Sequence, residues 1–194
     1  MNKYIFCIIV LFILVGCEKH SNPLSTSTDT TKEIMPLKVG NRWIWQVEQY
    51  DSVGAVIVSY CDSLVVLRDS TFQSEKWYLL KGAGSILYTN KSDGLYLLQS
   101  GYAYHLFLYP AKAGDTYYNP TFTMMKVITI DSLITVPYGA FSCLGYQAYS
   151  QNRLDEVWYC SPNIGIIKID DYYITQGGIN YKCAEYNLIS VSIN

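Results

Sequence analysis

Histidine is scarce in this 194-residue chain: only His20 and His105 occur, and no HExxH, CxxC, phosphate-loop or Gly-x-Ser-x-Gly pattern accompanies them. With one histidine in the folded part, a zinc site would need cysteines or carboxylates in its place, and nothing in the spacing supplies such a set. No metal and no cofactor are therefore expected. Basic clusters are missing as well. The net charge is −2 and Lys and Arg are scattered, so the chain carries no electrostatic footprint for nucleic acid and does not favour anionic lipid headgroups. Beyond residue 34 there is also no segment of helical length with 3.6-residue apolar periodicity, which excludes an α-rich domain.

What the chain does have begins at its N-terminus. Lys3 precedes twelve uncharged residues, Tyr4 to Val15, an apolar run of signal-peptide length and too short for a spanning helix of roughly 20 residues. The run ends in Leu14-Val15-Gly16-Cys17. These four residues resemble the lipobox of bacterial lipoprotein signal peptides, which implies removal of residues 1–16 and lipidation of Cys17. Two or more acyl chains at about 0.8 kcal/mol per buried methylene make a stable membrane anchor. Residues 18–33 are polar and rich in Ser and Thr, too poor in apolar surface to offset their ordering entropy. Residues 17–33 read as a flexible tether, and His20 as a solvated part of it. Glu18 rather than Asp after Cys17 leans, by resemblance to enterobacterial sorting, toward the outer membrane of the cell envelope.

Residues 34–194 form one domain's length. The chain's 19 tyrosines and 4 tryptophans suit half-buried pleated strands. Turn residues separate candidate strands at 42–50, 55–67, 76–81, 85–90, 94–99, 102–109, 122–130, 142–150, 154–160, 165–170 and 181–192, with 111–120 left as a loop. Short connections make neighbours antiparallel, and about a dozen twisted strands cannot stay flat. The fold expected is all-β: a single strongly curved antiparallel meander, half-barrel or closed barrel, with a sandwich as the alternative.

Exported cysteines that remain after Cys17, namely Cys61, Cys143, Cys160 and Cys183, invite disulfides. A two-residue turn at Gln151-Asn152 pairs residues summing to 303. That sets Cys143 opposite Cys160 within bridging distance and leaves Cys61 and Cys183 as a second pair.

Catalytic signals are weak. His105 lies in the alternating run 102–109 and reads as structural. The pairs Asp155-Glu156 and Asp170-Asp171 place successive carboxylates on opposite strand faces, so neither pair converges on one atom, and no role follows for them.

Four segments, Met35-Pro36-Leu37-Lys38-Val39-Gly40-Asn41-Arg42-Trp43-Ile44-Trp45, Tyr109-Pro110-Ala111-Lys112-Ala113-Gly114-Asp115, Val136-Pro137-Tyr138-Gly139-Ala140-Phe141-Ser142-Cys143 and Trp158-Tyr159-Cys160-Ser161-Pro162-Asn163-Ile164-Gly165-Ile166-Ile167-Lys168, occur in an order that resembles uncharacterised exported bacterial proteins of the DUF3108-like or TapB-like type. That resemblance implies a curved antiparallel sheet shaped like lipoprotein-carrier half-barrels and brings no catalytic residues. The expected function is a non-catalytic envelope lipoprotein, held to the membrane through Cys17, that binds a hydrophobic small molecule, a glycan or an envelope protein. The alternatives are an envelope hydrolase using His105 and a purely structural envelope role.

Overall fold

The computed structural model describes residues 33–82, 84–175, 178 and 180–194; the signal segment, Cys17 and His20 lie outside them. Among the described residues twelve strands follow one another without a helix: β1 (Arg42–Tyr50), β2 (Val56–Phe72), β3 (Glu75–Lys81), β4 (Ser85–Lys91), β5 (Gly94–Gln99), β6 (Tyr102–Leu108), β7 (Thr116–Tyr117), β8 (Met124–Val136), β9 (Gly139–Ser150), β10 (Arg153–Ser161), β11 (Gly165–Ile174) and β12 (Asn180–Ser192). They form one antiparallel sheet in the order β6-β5-β4-β3-β2-β1-β12-β11-β10-β9-β8-β7. Two meanders thus join where β1 pairs with β12, which rules out the sandwich. The sheet curls until its end strands face each other, a barrel with one unsealed seam.

Tight turns set the hairpins. Gln73-Ser74, Ser100-Gly101 and Gln151-Asn152 all have positive φ at both positions, the combination that a two-residue turn needs to match strand twist. Gly94 answers to packing instead. Its φ is +145°, and a Cβ there would lie 2.1 Å from the Phe107 carbonyl oxygen of β6.

The alternation of the sequence is visible in the core. Trp43, Trp45 and Val47 of β1 point inward with Val127, Tyr146, Ile167 and Leu188 from the other half. The first motif extends that core, because Ile34, Met35 and Leu37 are buried and act as a plug. The plug is held by Asn163 N–H donating to Glu33 O at 2.7 Å and by Asn90 Nδ2 donating to Met35 O at 2.8 Å. First and fourth motifs meet there. The Trp43 indole donates to Ile164 O at 2.6 Å, and Gly165, with φ +102°, leaves room that a Cβ would close to 3.1 Å from Met35 Cγ.

Side chains stitch the seam where no ladder forms. Tyr117 Oη donates to Leu106 O at 2.9 Å, Asn119 Nδ2 to His105 O at 2.7 Å and Tyr146 Oη to Leu108 O at 2.9 Å. Three carbonyls of edge strand β6 are thereby given partners. Asn119 is fully buried, and its Oδ1 accepts from Thr121 N–H.

Two expectations change. The β8–β9 hairpin is longer than the pattern suggests, running through Asp131–Val136 with Pro137-Tyr138 at its tip, and β7 lies inside the presumed loop 111–120. The disulfides are also corrected: Cys61, Cys143, Cys160 and Cys183 are free thiols. The Gln151-Asn152 turn and the Ser150–Arg153 pair are as expected, but a register shift between Leu154 and Glu156 sets Cys160 opposite Leu144. A one-residue slip is enough to break the opposition. Cys61 pairs with Gln46, which pairs on its far side with Asn187, four residues along β12 from Cys183. That offset with one strand between is about 16 Å, far beyond the ~7 Å limit for a bridge.

Replacing Gly94 with Ala should cost about 3 kcal/mol or more, since both φ and the Phe107 carbonyl oppose a Cβ. Asn119→Ala, which strands the His105 carbonyl, should cost about 1–3 kcal/mol. Urea unfolding of each variant measures both; an unchanged midpoint for Asn119→Ala would show the seam needs no such bond.

Candidate functional site

Direct cross-strand partners share a face of the sheet, so the register defines a transverse row on the inner wall. Met125, Ala148, Glu156, Asp171, Ala184, Gln49 and Val58 are successive partners across β8, β9, β10, β11, β12, β1 and β2. Met125 and Ala148 are fully buried, whereas Val58 is 44% exposed. Two carboxyl groups therefore sit side by side between a dry apolar wall and an open mouth.

The open side of this row is a recess of about 320 Å³ lined by Gln49, Tyr50, Ile57, Asp171, Tyr173, Tyr181, Cys183, Ala184 and Tyr186. Four of these are tyrosines and two carry polar amide or carboxylate groups. Burial pushes Tyr50 up to about 12, assisted by its hydrogen bond to Glu48, and burial raises Tyr186 with Tyr60 and Asp171 adding to it. Tyr50 and Tyr186 are therefore neutral phenols at physiological pH.

Behind Asp171 the wall holds polar atoms without partners. Among the described residues, Glu156 Oε2, Trp158 Nε1, Trp77 Nε1 and Asn90 Oδ1 are buried with no hydrogen bond. The Trp158 indole neighbours the Glu156 carboxyl but does not complete a bond to Oε2. Burial, and then the facing Asp171 carboxylate, push Glu156 up to about 8. Asp171 is itself raised, chiefly by burial. Tyr88 of β4, across the interior, is pushed up to about 12 by burial and by Glu156.

Reading the acidic pairs one at a time missed this arrangement. Asp155-Glu156 and Asp170-Asp171 do not converge within a pair, yet the β10–β11 register brings Glu156 opposite Asp171. Asp170 instead meets Glu185 on the outer face, where Lys168 and Lys182 bridge the two acids. Burial works against the charge of Glu185, but Asn187 and the two lysines hold it down to about 2. That cluster reads as a satisfied ionic network on a sheet surface.

His105 is likewise committed. Its Nε2 lies 3.1 Å from Asp93 Oδ2, and its ring is 4.1 Å from Tyr96 and 5.8 Å from Tyr117 by centroids. Tyr96 Oη donates to the same Asp93 oxygen. Burial pushes Asp93 up, but Tyr96 and His105 outweigh it and hold the carboxylate low. The histidine does meet a carboxylate, although no Ser, Thr or Cys side chain is bonded to its ring among the described contacts, and it does not line the recess. Cys17 lies outside the described residues. Cys61 is exposed, while burial pushes Cys143 up to about 12 and Cys160 well above its ordinary value. Among the described residues no group of three His, Cys, Asp or Glu could hold a metal.

Solved structures similar to this chain include a Bacteroides fragilis protein provisionally described as exported, with a YmcC-like fold, at TM-score 0.48 and 12% identity over 84% of this chain and 100% of that one. Another, from Parabacteroides distasonis and provisionally described as a lipoprotein, matches at TM-score 0.44 and 14% identity over 83% of this chain and 99% of that one. No protein-family model and no curated protein matches the sequence, so the DUF3108-like or TapB-like resemblance has no counterpart in these comparisons.

The Glu156 site has a pH signature. Its ordinary value is 4.5 against about 8 in the fold, so between those values the unfolded chain has released a proton that the fold retains. The contribution of this group to stability falls as pH rises through that window and is flat above it. Glu156→Gln should therefore gain stability over the parent from pH 5 to 8, by roughly 3–5 kcal/mol at most. Parallel melting-temperature profiles for both proteins would sink the assignment. In the same fold, iodoacetamide should modify Cys61 at once and Cys143 and Cys160 only after denaturant is added; rapid labelling of all four would contradict their burial.

Proposed function

We propose that this chain is an envelope lipoprotein, anchored through lipid on Cys17 in the outer membrane, whose barrel mouth binds a saccharide without turning it over. The observation that carries the reading is the recess in which Tyr173, Tyr181 and Tyr186 accompany Gln49 and Asp171, with Tyr50 at its edge. A sugar ring has apolar C–H faces and a rim of hydroxyls, so it needs aromatic faces and convergent acceptors together. A purely apolar ligand would leave the Asp171 and Gln49 groups unpaired, which costs free energy. The volume is at the small end for ligand sites and fits a short segment of glycan better than a whole lipid. Binding rather than catalysis is supported by His105, which is held by Asp93 and flanked by the Tyr96 and Tyr117 rings away from the recess.

The test uses the full lipidated chain in detergent on an array of bacterial envelope and host glycans. Glycan capture is expected, and replacing both Tyr181 and Tyr186 with Ala should weaken it by roughly tenfold or more through lost ring contacts. Native mass spectrometry of the same preparation supplies the opposing outcome. A lipid that co-purifies and leaves on denaturation, with no glycan bound, would replace the saccharide reading with a lipid-carrier one.

A further inference from the structure

The long strand β2 has two halves with different neighbours. Among the described residues, β3 pairs with Val65–Phe72, while Val56–Leu64 pairs with β1 alone. Gly82 lies against the Ser63 carbonyl, which narrows the open edge to Val56–Asp62. Val56 is 52% exposed, Ile57 62%, Val58 44% and Tyr60 41%, so both faces of this edge are uncovered.

Backbone direction along the edge follows from Val66. Its N–H donates to Asn41 O and its C=O accepts from Gly40 N–H, both on the β1 side. The β1–β2 register is unbroken from Val58 to Val65, and in an antiparallel ladder the backbone groups of successive residues alternate sides. Val58, Tyr60 and Asp62 therefore turn their N–H and C=O toward β1. Ser59 and Cys61 turn theirs outward, with the bulge opposite Tyr50 lying beyond them.

Such an edge is a template for another strand, and natural proteins usually blunt it with Lys, Pro or an inward charge. Here the segment Val56-Ile57-Val58-Ser59-Tyr60-Cys61-Asp62 has no Lys, Arg or Pro and a single acid at its end. We propose that this edge pairs with the same edge of a second copy, antiparallel, about a two-fold axis at Tyr60.

The self-complementarity is specific to that register. With Tyr60 opposite the second copy's Tyr60, Ser59 of each copy faces Cys61 of the other, and their outward N–H and C=O groups all find partners. The two tyrosines meet as a non-hydrogen-bonded pair at about 4.5 Å between Cα atoms, where an aromatic cross-strand pair is favourable. Asp62 faces Val58 of the second copy, so the two acids are never opposed. A contact in which the same patch serves both subunits closes on itself and stops at a dimer. This inference is independent of what occupies the recess.

The test is the mass of the full lipidated chain in detergent by light scattering, together with directed cross-linking. In a Cys61→Ser background, Tyr60→Cys should form an intermolecular disulfide rapidly under a copper–phenanthroline oxidant. Val53→Cys at the exposed hairpin tip should not, because it lies seven residues from the axis. Ser59→Pro removes an outward N–H without touching the β1 ladder, and should weaken dimerisation by about tenfold or more while near-UV circular dichroism stays native. A monomeric parent chain overturns the proposal, whether the edge is bare or covered by residues 18–32 of its own chain. Equal cross-linking at positions 60 and 53, or an undiminished Ser59→Pro dimer, overturns it as well.

Discussion

An open meander must dispose of two edges, and in this protein the rest of the architecture depends on how one of them is met. Strand β6 ends the first half of the sheet, and the second half returns to it not with a full strand but with side chains of Tyr117, Asn119 and Tyr146. Each bond replaces a lost water contact of a half-buried carbonyl, so the seam can be dry without being laddered. Because the closure is made by side chains, the barrel need not satisfy a fixed strand number and shear. It can taper, with β2, β8, β9 and β12 running longer than β3 to β6.

That inequality of strand length creates the recess. Short strands close the barrel around the plugged core, whereas the longer β1, β2, β11 and β12 continue past it and leave inner-facing residues without a roof. Polar and aromatic side chains collect there because water reaches them, and Glu156 marks the boundary. Within its row it stands between Ala148 on the buried side and Asp171 on the side of the recess. Its raised value is the electrostatic mark of that position.

Much of the fold was legible in the sequence because it rests on local rules. Period-two runs, short turns and absent helical pattern lead directly to an antiparallel meander, and Trp43, Trp45 and Val47 announce their own face. Turn chemistry at Gln151-Asn152 is equally readable. What escaped depends on bulges, which shift register by one residue without a reliable sequence mark; the shift near Leu154 broke the expected Cys143–Cys160 opposition. The same blindness hid the site. Glu156 and Asp171 are fifteen positions apart, and only the β10–β11 register makes them neighbours. The β8–β9 hairpin was underestimated because Asp131-Ser132 interrupts its apolar alternation, yet Ser132 simply pairs with Cys143 on an irregular stretch of ladder.

The plug formed by Ile34, Met35 and Leu37 has a mechanical side. Whatever pulls on the chain ahead of Glu33 pulls first on these three side chains and on the Asn163 and Asn90 bonds that hold them. Such a load is passed into the packed centre of the domain, to Trp43 and the Ile164 carbonyl. Under such a pull it is the stopper, not the staves, that the chain first loads.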